Sequence, residues 1–341
     1  MNDHELERLL TDSLDARARG AIGDDRRPPA FEDRPTGHTS ARSRRRTALL
    51  APLATAAAVA LVAGGIALFH PSSPDHPAST AGAVHVRLKF GDGAQVGVGM
   101  PVIAYFSRAI TSAKSLAAAT SVTVNGKPAH GAWYFERSAA DPGYPIEGHL
   151  RLERFWPAHA NIVVRMPIRG LSAGTGLAYD ESLSVAFATG AATVATVSAA
   201  RHQMLVTTDG RTVGTYPVSL GGPATPTERG TKVIMEKRPD IALRGPGFDQ
   251  PNVRYTQRLS YGGEYLLAAP WNTANIGRSN SSNGSTDLRT SDARQLYRLF
   301  EVGDVVRYPD ATGPSMQLGQ GYGDWNVPWA QWLTGGLIPT G

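Results

Sequence analysis

The 341-residue sequence contains no cysteine, and none of its nine histidines lies beyond His202. The first absence excludes disulfide bonds, thiolate metal sites and a lipid anchor on cysteine. Together the two absences leave the 139 residues after His202 without a thiolate or an imidazole. A cysteine–histidine catalytic pair therefore cannot operate in the C-terminal part of this chain.

The sequence also lacks a strong charge of either sign. Its 34 lysines and arginines exceed its 29 aspartates and glutamates by only five, and no basic face interleaved with aromatic residues is visible. We therefore expect no nucleic-acid partner. With 41% apolar residues the chain is too apolar to be wholly disordered, and its 37 glycines and 24 prolines favour a β-rich protein. The length allows two domains and a tail.

One long apolar run stands out. Residues 47–69 include no charged side chain and are numerous enough to cross a bilayer, with arginines before them at positions 42, 44, 45 and 46. The positive-inside rule predicts a single-pass cell-membrane protein with a cytoplasmic N-terminus and extracytoplasmic domains. A cleaved secretory signal is the alternative, because Ala81-Gly82-Ala83 fits a small-residue cleavage site. A buried core helix is disfavoured by the adjacent arginines.

Residues 1–46 form a polar, charge-dense tail that is predicted to be mostly disordered and cytoplasmic. Leucines at positions 6, 9, 10 and 14 have helical spacing and predict one short amphipathic helix. A helix this short is marginal by itself. It either frays in solution or docks on a cytoplasmic partner, and the sequence leaves both open. The Pro- and Ser-containing residues 70–81 are typical of a spacer.

Two groups of short β-like runs follow the spacer. Seven runs within about a hundred residues predict an immunoglobulin-like sandwich: residues 84–90, 102–106, 122–124, 132–135, 149–152, 162–166 and 183–187. A second group begins near residue 192, with a hairpin turn at Asp209-Gly210. It continues into one helix, capped by Ser291 and carrying Leu296, Leu299 and Phe300, and a strand over residues 302–308. Trp325, Trp329 and Trp332 have the spacing of one helical face and predict an aromatic cluster that packs on the preceding domain.

Two short motifs carry a family resemblance. Ala269-Pro270-Trp271, followed by Ser282-Asn283-Gly284-Ser285, resembles the signature of the L,D-transpeptidases, cysteine enzymes that cross-link peptidoglycan stem peptides. In that family the second motif reads Ser-His-Gly-Cys, and a histidine and a serine directly precede the Ala-Pro-Trp. In this chain the four reactive positions hold Leu267, Ala268, Asn283 and Ser285.

The resemblance implies a mainly β fold. An actinobacterial-type Ig-like sandwich, to which residues 97–102 are similar, is followed by an L,D-transpeptidase-type β domain with a short helix, after one transmembrane helix. The expected boundaries are 1–46 for the tail, 47–69 for the membrane helix, 70–81 for the spacer, 82–190 for the Ig-like domain, 191–312 for the L,D-transpeptidase-like domain and 313–341 for the C-terminal aromatic extension. Residues 239–252 stand where the family has its active-site lid, and they are expected to form a shortened, Gly/Pro-rich lid.

The resemblance also implies which residues form the site. No catalytic residue is intact, and neither a metal nor a cofactor is expected. The backbone of Gly284 and Ser285 is the candidate oxyanion hole. The candidate substrate-binding framework consists of Ala269, Pro270, Trp271 and Ser282.

Three functions compete. The first is a wall-binding or regulatory pseudoenzyme that recognises peptidoglycan stem peptides or wall-synthesis proteins. The second is a residual acyltransferase with Ser285 as nucleophile, which would need a general base that Leu267 and Asn283 cannot provide. The third is a transmembrane scaffold or sensor whose residues 1–46 bind a cytoplasmic partner.

Overall fold

The computed structural model describes residues 82–245 and 248–341. The predicted tail, membrane helix and spacer lie outside these residues. Within them, no helix is long and apolar enough to span a membrane. The described chain is mainly β with few helices, as the sequence predicts.

The first half of the described chain consists of twelve short strands and one helix. The strands are β1 (Gly82–Val84), β2 (Val86–Leu88), β3 (Ala94–Val96), β4 (Val102–Phe106), β5 (Ser121–Val124), β6 (Lys127–Ala129), β7 (Gly131–Arg137), β8 (Ile146–Leu152), β9 (Asn161–Met166), β10 (Ser172–Gly174), β11 (Leu177–Tyr179) and β12 (Leu183–Thr189), and the helix is α1 (Lys114–Ala119). Each of the seven predicted runs coincides with or overlaps one of these strands.

These strands form a sandwich. One sheet has the order β2-β4-β8-β7 and the other the order β3-β12-β9-β5-β6, while β1, β10 and β11 make a small third sheet. Alternating apolar residues of the two large sheets, such as Phe106, Trp133, Val164 and Phe187, meet in one core cluster. This inward and outward alternation is what a two-sheet sandwich requires.

The second half contains one nine-stranded sheet. Its strands are β13 (Thr193–Ser198), β14 (Gln203–Thr208), β15 (Arg211–Ser219), β16 (Gly230–Val233), β17 (Glu236–Gly245), β18 (Phe248–Arg258), β19 (Tyr265–Ala268), β20 (Thr286–Leu288) and β21 (Val305–Tyr308). Their order is β16-β21-β13-β14-β15-β20-β19-β18-β17. Buried residues of this sheet pack against helix α2 (Thr290–Leu299), whose Ala293 and Leu296 face the core.

The predicted cap of that helix is wrong. Helix α2 begins at Thr290, and its N-cap residue is Arg289, which makes no side-chain capping bond. Ser291 lies inside the first turn, where its hydroxyl donates to Asp292 Oδ1. Because Arg289 leaves strand β20 with extended backbone angles, the helix starts earlier than a Ser291 cap allows.

Two glycines allow the sandwich to contact the nine-stranded sheet. The N–H of Gly97 donates to Val302 O over 2.8 Å, and that of Gly99 donates to Gly303 O over 2.9 Å. A Cβ atom at Gly97 would collide with the backbone of Gly303 and Asp304, and one at Gly99 would lie 2.6 Å from Val305 Cγ2. The close approach of these two backbone segments therefore requires glycine at positions 97 and 99.

We expect Gly97→Ala to lower the free energy of unfolding by about 1–3 kcal/mol, because the methyl group overpacks a backbone contact that cannot yield. Urea denaturation of the variant measures this change. Gly91→Ala is the matched control, since a Cβ atom there meets no heavy atom within 4 Å. Equal stability of the two variants would contradict the proposed role of Gly97.

The C-terminal extension is not one continuous helix. Trp325 lies in a 3₁₀ turn (Asp324–Asn326), and α3 (Trp329–Trp332) begins only after Pro328, whose extended backbone separates the two. The three tryptophans nevertheless gather around one side chain, with the Arg151 guanidinium carbon 4.7, 5.2 and 4.1 Å from the ring centroids of Trp325, Trp329 and Trp332. The three tryptophans therefore form an aromatic cluster, and the guanidinium of Arg151 lies at its centre.

The extension contacts both parts of the described chain. Asn326 accepts from Thr231 N over 2.7 Å at the edge of the nine-stranded sheet, as packing on the preceding domain implies. In addition, Trp332 Nε1 donates to Ala132 O over 2.9 Å and Trp325 Nε1 donates to Gly99 O over 2.8 Å, both in the sandwich. The outer face of strand β8 is thereby covered.

Candidate functional site

Two neighbouring strands bring the predicted site residues together. Strands β19 and β20 run parallel, with Leu267 opposite Asp287 and Ala268 opposite Leu288. The chain between them, residues 269–285, carries both motifs. Ser285 directly precedes β20 and therefore lies beside β19, the strand that holds Leu267. The structure thus unites positions that are 18 residues apart in the sequence.

Ser285 is buried, and no basic side chain of the described residues is hydrogen-bonded to its hydroxyl. Ser285 is 8% exposed, and its Oγ accepts from the backbone N–H of Tyr265 over 3.2 Å. No side chain of residues 82–245 or 248–341 makes a hydrogen bond with this Oγ. A serine hydroxyl without a positioned base is a weak nucleophile at neutral pH.

Leu267 belongs to an apolar cluster of its own. It packs with Val253 and Ala269, and the partly buried Leu243 and Tyr265 complete the cluster. Since Leu243 and Val253 lie in strands β17 and β18, the hairpin of these strands covers Leu267 with apolar side chains. The position therefore favours a hydrocarbon and would penalise an unpaired imidazole.

The segment expected to be a shortened lid is regular structure. Residues 239–252 lie within strands β17 and β18, apart from residues 246 and 247, which the structure does not describe. These strands pair antiparallel, with a bulge between Ile241 and Leu243. Pro239 is tolerated because β17 is an edge strand, where a missing N–H costs no ladder bond.

The motif loop at residues 282–285 is held in a fixed shape. Ser282 O accepts from Gly222 N over 2.9 Å and from Thr225 Oγ1 over 3.2 Å. Gly284 O accepts from Thr227 Oγ1 over 2.8 Å, and Gly284 has a φ of +98°, a conformation that favours glycine. Ser282 Oγ donates to the carbonyl of Ser285. The framework of the motif is intact although its reactive groups are absent.

The backbone donors predicted for an oxyanion hole belong to two buried residues. Among the described residues, the N–H groups of Gly284 and Ser285 have no acceptor. Trp271 is 47% exposed and lies in a 3₁₀ turn (Pro270–Asn272), while Asn283 is exposed at the tip of the loop. The motif region thus combines two unpaired N–H groups with an exposed indole and an exposed amide.

Asp287 and Asn272 are site residues that the motif comparison does not single out. Asn272 Nδ2 donates to Asp287 Oδ2 over 2.8 Å, and Ser281 Oγ donates to Asn272 Oδ1 over 3.0 Å. Burial raises the pKa of Asp287 to about 7, although the bond from Asn272 opposes the shift. A signal was present in the sequence: Asn272 directly follows Ala-Pro-Trp, and Asp287 lies two residues after Ser285.

A buried ion pair lies behind the motif loop. Lys232 Nζ donates to Glu264 Oε2, and the other oxygen of Glu264 accepts from Glu228 N over 2.8 Å. Burial lowers the pKa of Lys232 and raises that of Glu264, while their mutual contact opposes both shifts. Lys232 and Glu264 thus form an ion pair with each other, and neither side chain is hydrogen-bonded to Ser285.

The raised pKa of Asp287 predicts a pH dependence of stability. The folded chain keeps this proton up to about pH 7, whereas the unfolded chain releases it near 3.8. The folded state binds more protons in this window, so the free energy of unfolding falls as the pH rises through it. Asp287→Asn keeps a neutral acceptor for Asn272, and we expect it to be more stable than wild type by about 4 kcal/mol at pH 8 and by only about 0.5 kcal/mol at pH 4.

Urea denaturation of both proteins at several pH values measures the difference. Burial also raises the pKa of Asp304 to about 7. The variant therefore keeps part of the dependence of unfolding free energy on pH. Identical pH profiles of wild type and Asp287→Asn would contradict this assignment.

Comparison with known proteins agrees with the geometry. The L,D-transpeptidase catalytic domain matches residues 192–307, and the bacterial Ig domain matches residues 76–172. The chain is 28% identical over 268 residues to L,D-transpeptidase 2 of Mycobacterium tuberculosis, covering 75% of this chain and 64% of that protein. It is 30% identical over 242 residues to probable L,D-transpeptidase 3 of the same species, covering 63% of this chain and 82% of that protein.

The fold matches as well. An L,D-transpeptidase from Mycobacterium smegmatis superposes with a TM-score of 0.53 at 25% identity, over 66% of this chain and 98% of that chain. The described chain therefore shares the fold of that enzyme. The chain belongs to the L,D-transpeptidase family. It spans less than two thirds of L,D-transpeptidases 2 and 5 of M. tuberculosis, at 64% and 57% of their lengths.

Proposed function

We propose that this protein is a catalytically inactive member of its family that binds peptidoglycan stem peptides or a wall-synthesis protein. One observation carries the proposal. Leu267, at the position where the resemblance expects an imidazole, is buried at 3% exposure in an apolar cluster with Val253 and Ala269. This position can neither accept a proton nor readily regain a group that does.

Binding is supported by what the site keeps. The loop at residues 282–285 is braced by Gly222, Thr225 and Thr227, and its free N–H groups can bind a peptide carboxylate or carbonyl. Trp271, in the same segment between β19 and β20, adds an exposed apolar side chain. Such a site can recognise a ligand without reacting with it.

The proposal includes a membrane anchor, which rests on the sequence. Residues 47–69 and the arginines ahead of them favour a single-pass protein whose two domains face the wall. A reporter enzyme fused after Pro74 tests this orientation. Activity of the reporter in the cytoplasm would contradict it.

Intact-mass spectrometry of the full-length chain, incubated with a carbapenem or with a tetrapeptide stem, tests the loss of catalysis. We expect no covalent adduct with either compound. Isothermal titration with the tetrapeptide tests binding, and Trp271→Ala should weaken it, whereas Leu333→Ala, also about half exposed but on the C-terminal extension, should not. A covalent adduct that forms in wild type and is absent in Ser285→Ala would overturn the proposal. The proposal would also be overturned if wild type bound no tetrapeptide, so that wild type and Trp271→Ala gave the same titration.

A second function, residual acyl transfer by Ser285, is favoured by one observation. Asp287 lies two residues along the same strand segment, and its pKa of about 7 suits a general base at neutral pH. Its carboxylate is, however, bonded to Asn272 and has no bond to Ser285. If the adduct forms, its rate should fall in Asp287→Asn.

A further inference from the structure

A cluster of ionisable residues that does not include the motif loop lies on the outer face of strand β8. Glu147, His149 and Arg151 alternate along this strand and therefore share one face, opposite to the sandwich core. Strand β7 pairs antiparallel with β8 so that Glu136 stands directly opposite Glu147. Two carboxylates directly opposite each other on paired strands repel each other unless a cation or a proton lies between them.

The outer face of this sheet is not exposed to solvent. Residues of the C-terminal extension cover it, and Tyr322 packs edge-on to His149 with ring centroids 6.2 Å apart. The side chains of Glu147 and His149 are 1% and 2% exposed, and that of Glu136 is 12% exposed. A buried set of carboxylates needs compensating charge or hydrogen bonds.

Part of this set has no partner. Among the described residues, His149 Nε2 and Glu136 Oε1 make no hydrogen bond although both are buried. His149 Nε2 lies 3.8 Å from Glu136 Oε1 and 3.6 Å from Glu147 Oε1. The second oxygen of Glu147 accepts from Ser138 Oγ over 3.0 Å, which turns the first toward the imidazole. One nitrogen and two oxygens therefore converge, all within 4.8 Å of one another.

The extension fixes the orientation of the imidazole. Asp324 Oδ1 lies 2.7 Å from His149 Nδ1, and Asp324 is fully buried. A carboxylate that accepts from Nδ1–H leaves a lone pair on Nε2, aimed at Glu136 and Glu147. This carboxylate–histidine arrangement is the one that orients imidazole ligands of metal ions.

We propose that Glu136, Glu147 and His149 bind one divalent transition-metal ion of the Zn²⁺ type. The donor set of one imidazole nitrogen and two carboxylate oxygens suits Zn²⁺, whereas Ca²⁺ and Mg²⁺ prefer oxygen donors alone. Metal–ligand bonds of about 2.1 Å in a tetrahedral site separate the ligand atoms by roughly 3.4 Å. The separations of 3.6 and 3.8 Å are close to this value.

The charges of the cluster agree with a divalent ion. The three carboxylates of Glu136, Glu147 and Asp324 would be balanced by one divalent cation and the guanidinium of Arg151, which lies on the same face of β8. The sequence predicts no metal ligands because Glu136 lies eleven residues before Glu147, and only the pairing of β7 with β8 places the two opposite each other. The ion would fasten the extension, through Asp324, to the sandwich.

The test uses the full-length chain without a polyhistidine tag, dialysed against Zn²⁺ and then against metal-free buffer. Mass spectrometry of the metal content should give about one Zn²⁺ per chain in wild type and one fewer in Glu136→Gln. The thermal midpoint of wild type should rise by roughly 5 °C in Zn²⁺ relative to EDTA, and that of Glu136→Gln should not move. The glutamine keeps the size of the side chain, so this variant is expected to fold.

His85→Ala is the matched control. His85 lies 3.3 Å from both Asp180 and Glu181, which offers a similar donor set on the exposed surface. Its loss should leave the Zn²⁺ content and the thermal shift unchanged. The proposal is overturned if wild type and Glu136→Gln hold the same amount of Zn²⁺, because the buried cluster would then share protons and not a metal. It is equally overturned if His85→Ala removes the ion.

Discussion

Trp332→Ala should lower the free energy of unfolding by about 3–5 kcal/mol, the range for truncating a fully buried tryptophan. Trp332 is 0% exposed, its Nε1 donates to Ala132 O over 2.9 Å, and its ring stacks on Tyr134 with centroids 4.9 Å apart. The Arg151 guanidinium also lies 4.1 Å from its ring centroid, so the variant leaves a buried cation facing a cavity.

Urea denaturation with both far-ultraviolet circular dichroism and tryptophan fluorescence measures this loss. Leu333→Ala is the control from the neighbouring position, where the side chain is 51% exposed and truncation should cost less than about 0.5 kcal/mol. A loss below 1 kcal/mol in Trp332→Ala would mean that the extension contributes little to the stability of the sandwich.

The strands of this protein could be predicted from the sequence because period-two alternation and turn residues are local signals. Strand β4 over Val102–Phe106 coincides with the predicted run, and Asp209-Gly210 forms the predicted hairpin turn. The predicted run over residues 149–152 locates part of strand β8, but it does not indicate what covers Glu147 and His149. They are buried because residues far away in sequence cover them, and no local pattern carries that information.

The candidate site was only partly predictable for the same reason. The motifs locate Leu267 and Ser285, and the parallel pairing of β19 with β20 brings them together. Neither motif indicates that Val253 would cover Leu267, because that contact depends on the β17–β18 hairpin folding over strand β19. Likewise, the ion pair between Lys232 and Glu264 depends on the tertiary fold and cannot be read from local sequence.

The apolar neighbours of Leu267 determine what an imidazole would meet at this position. An imidazole at this position would have to displace Val253 or be buried without a partner, and burial of a polar group without a hydrogen bond costs about 1–3 kcal/mol. The leucine instead joins the hairpin to the site by apolar contact.

Restoring the nucleophile alone should not restore transpeptidation. Ser285→Cys supplies a thiol with an ordinary pKa near 8.5, of which about a few per cent is thiolate at neutral pH. With Leu267 and Asn283 in place, no imidazole stabilises that thiolate or deprotonates an incoming amine. Since general-base assistance is typically worth about 10²–10⁴-fold, we expect cross-linking of stem peptides by this variant to be at the limit of detection.

The triple variant Leu267→His, Asn283→His, Ser285→Cys should acylate with a carbapenem faster than Ser285→Cys by about 10²-fold or more. Its matched control combines Ser285→Cys with Asn283→His only, because Asn283 is exposed and accepts an imidazole without repacking. Adduct formation followed by intact mass gives all three rates, and urea denaturation reports the cost of placing an imidazole beside Val253. If Ser285→Cys alone cross-links stem peptides efficiently, a base near Ser285 must exist in the folded chain, and the assignment of a dismantled site is wrong.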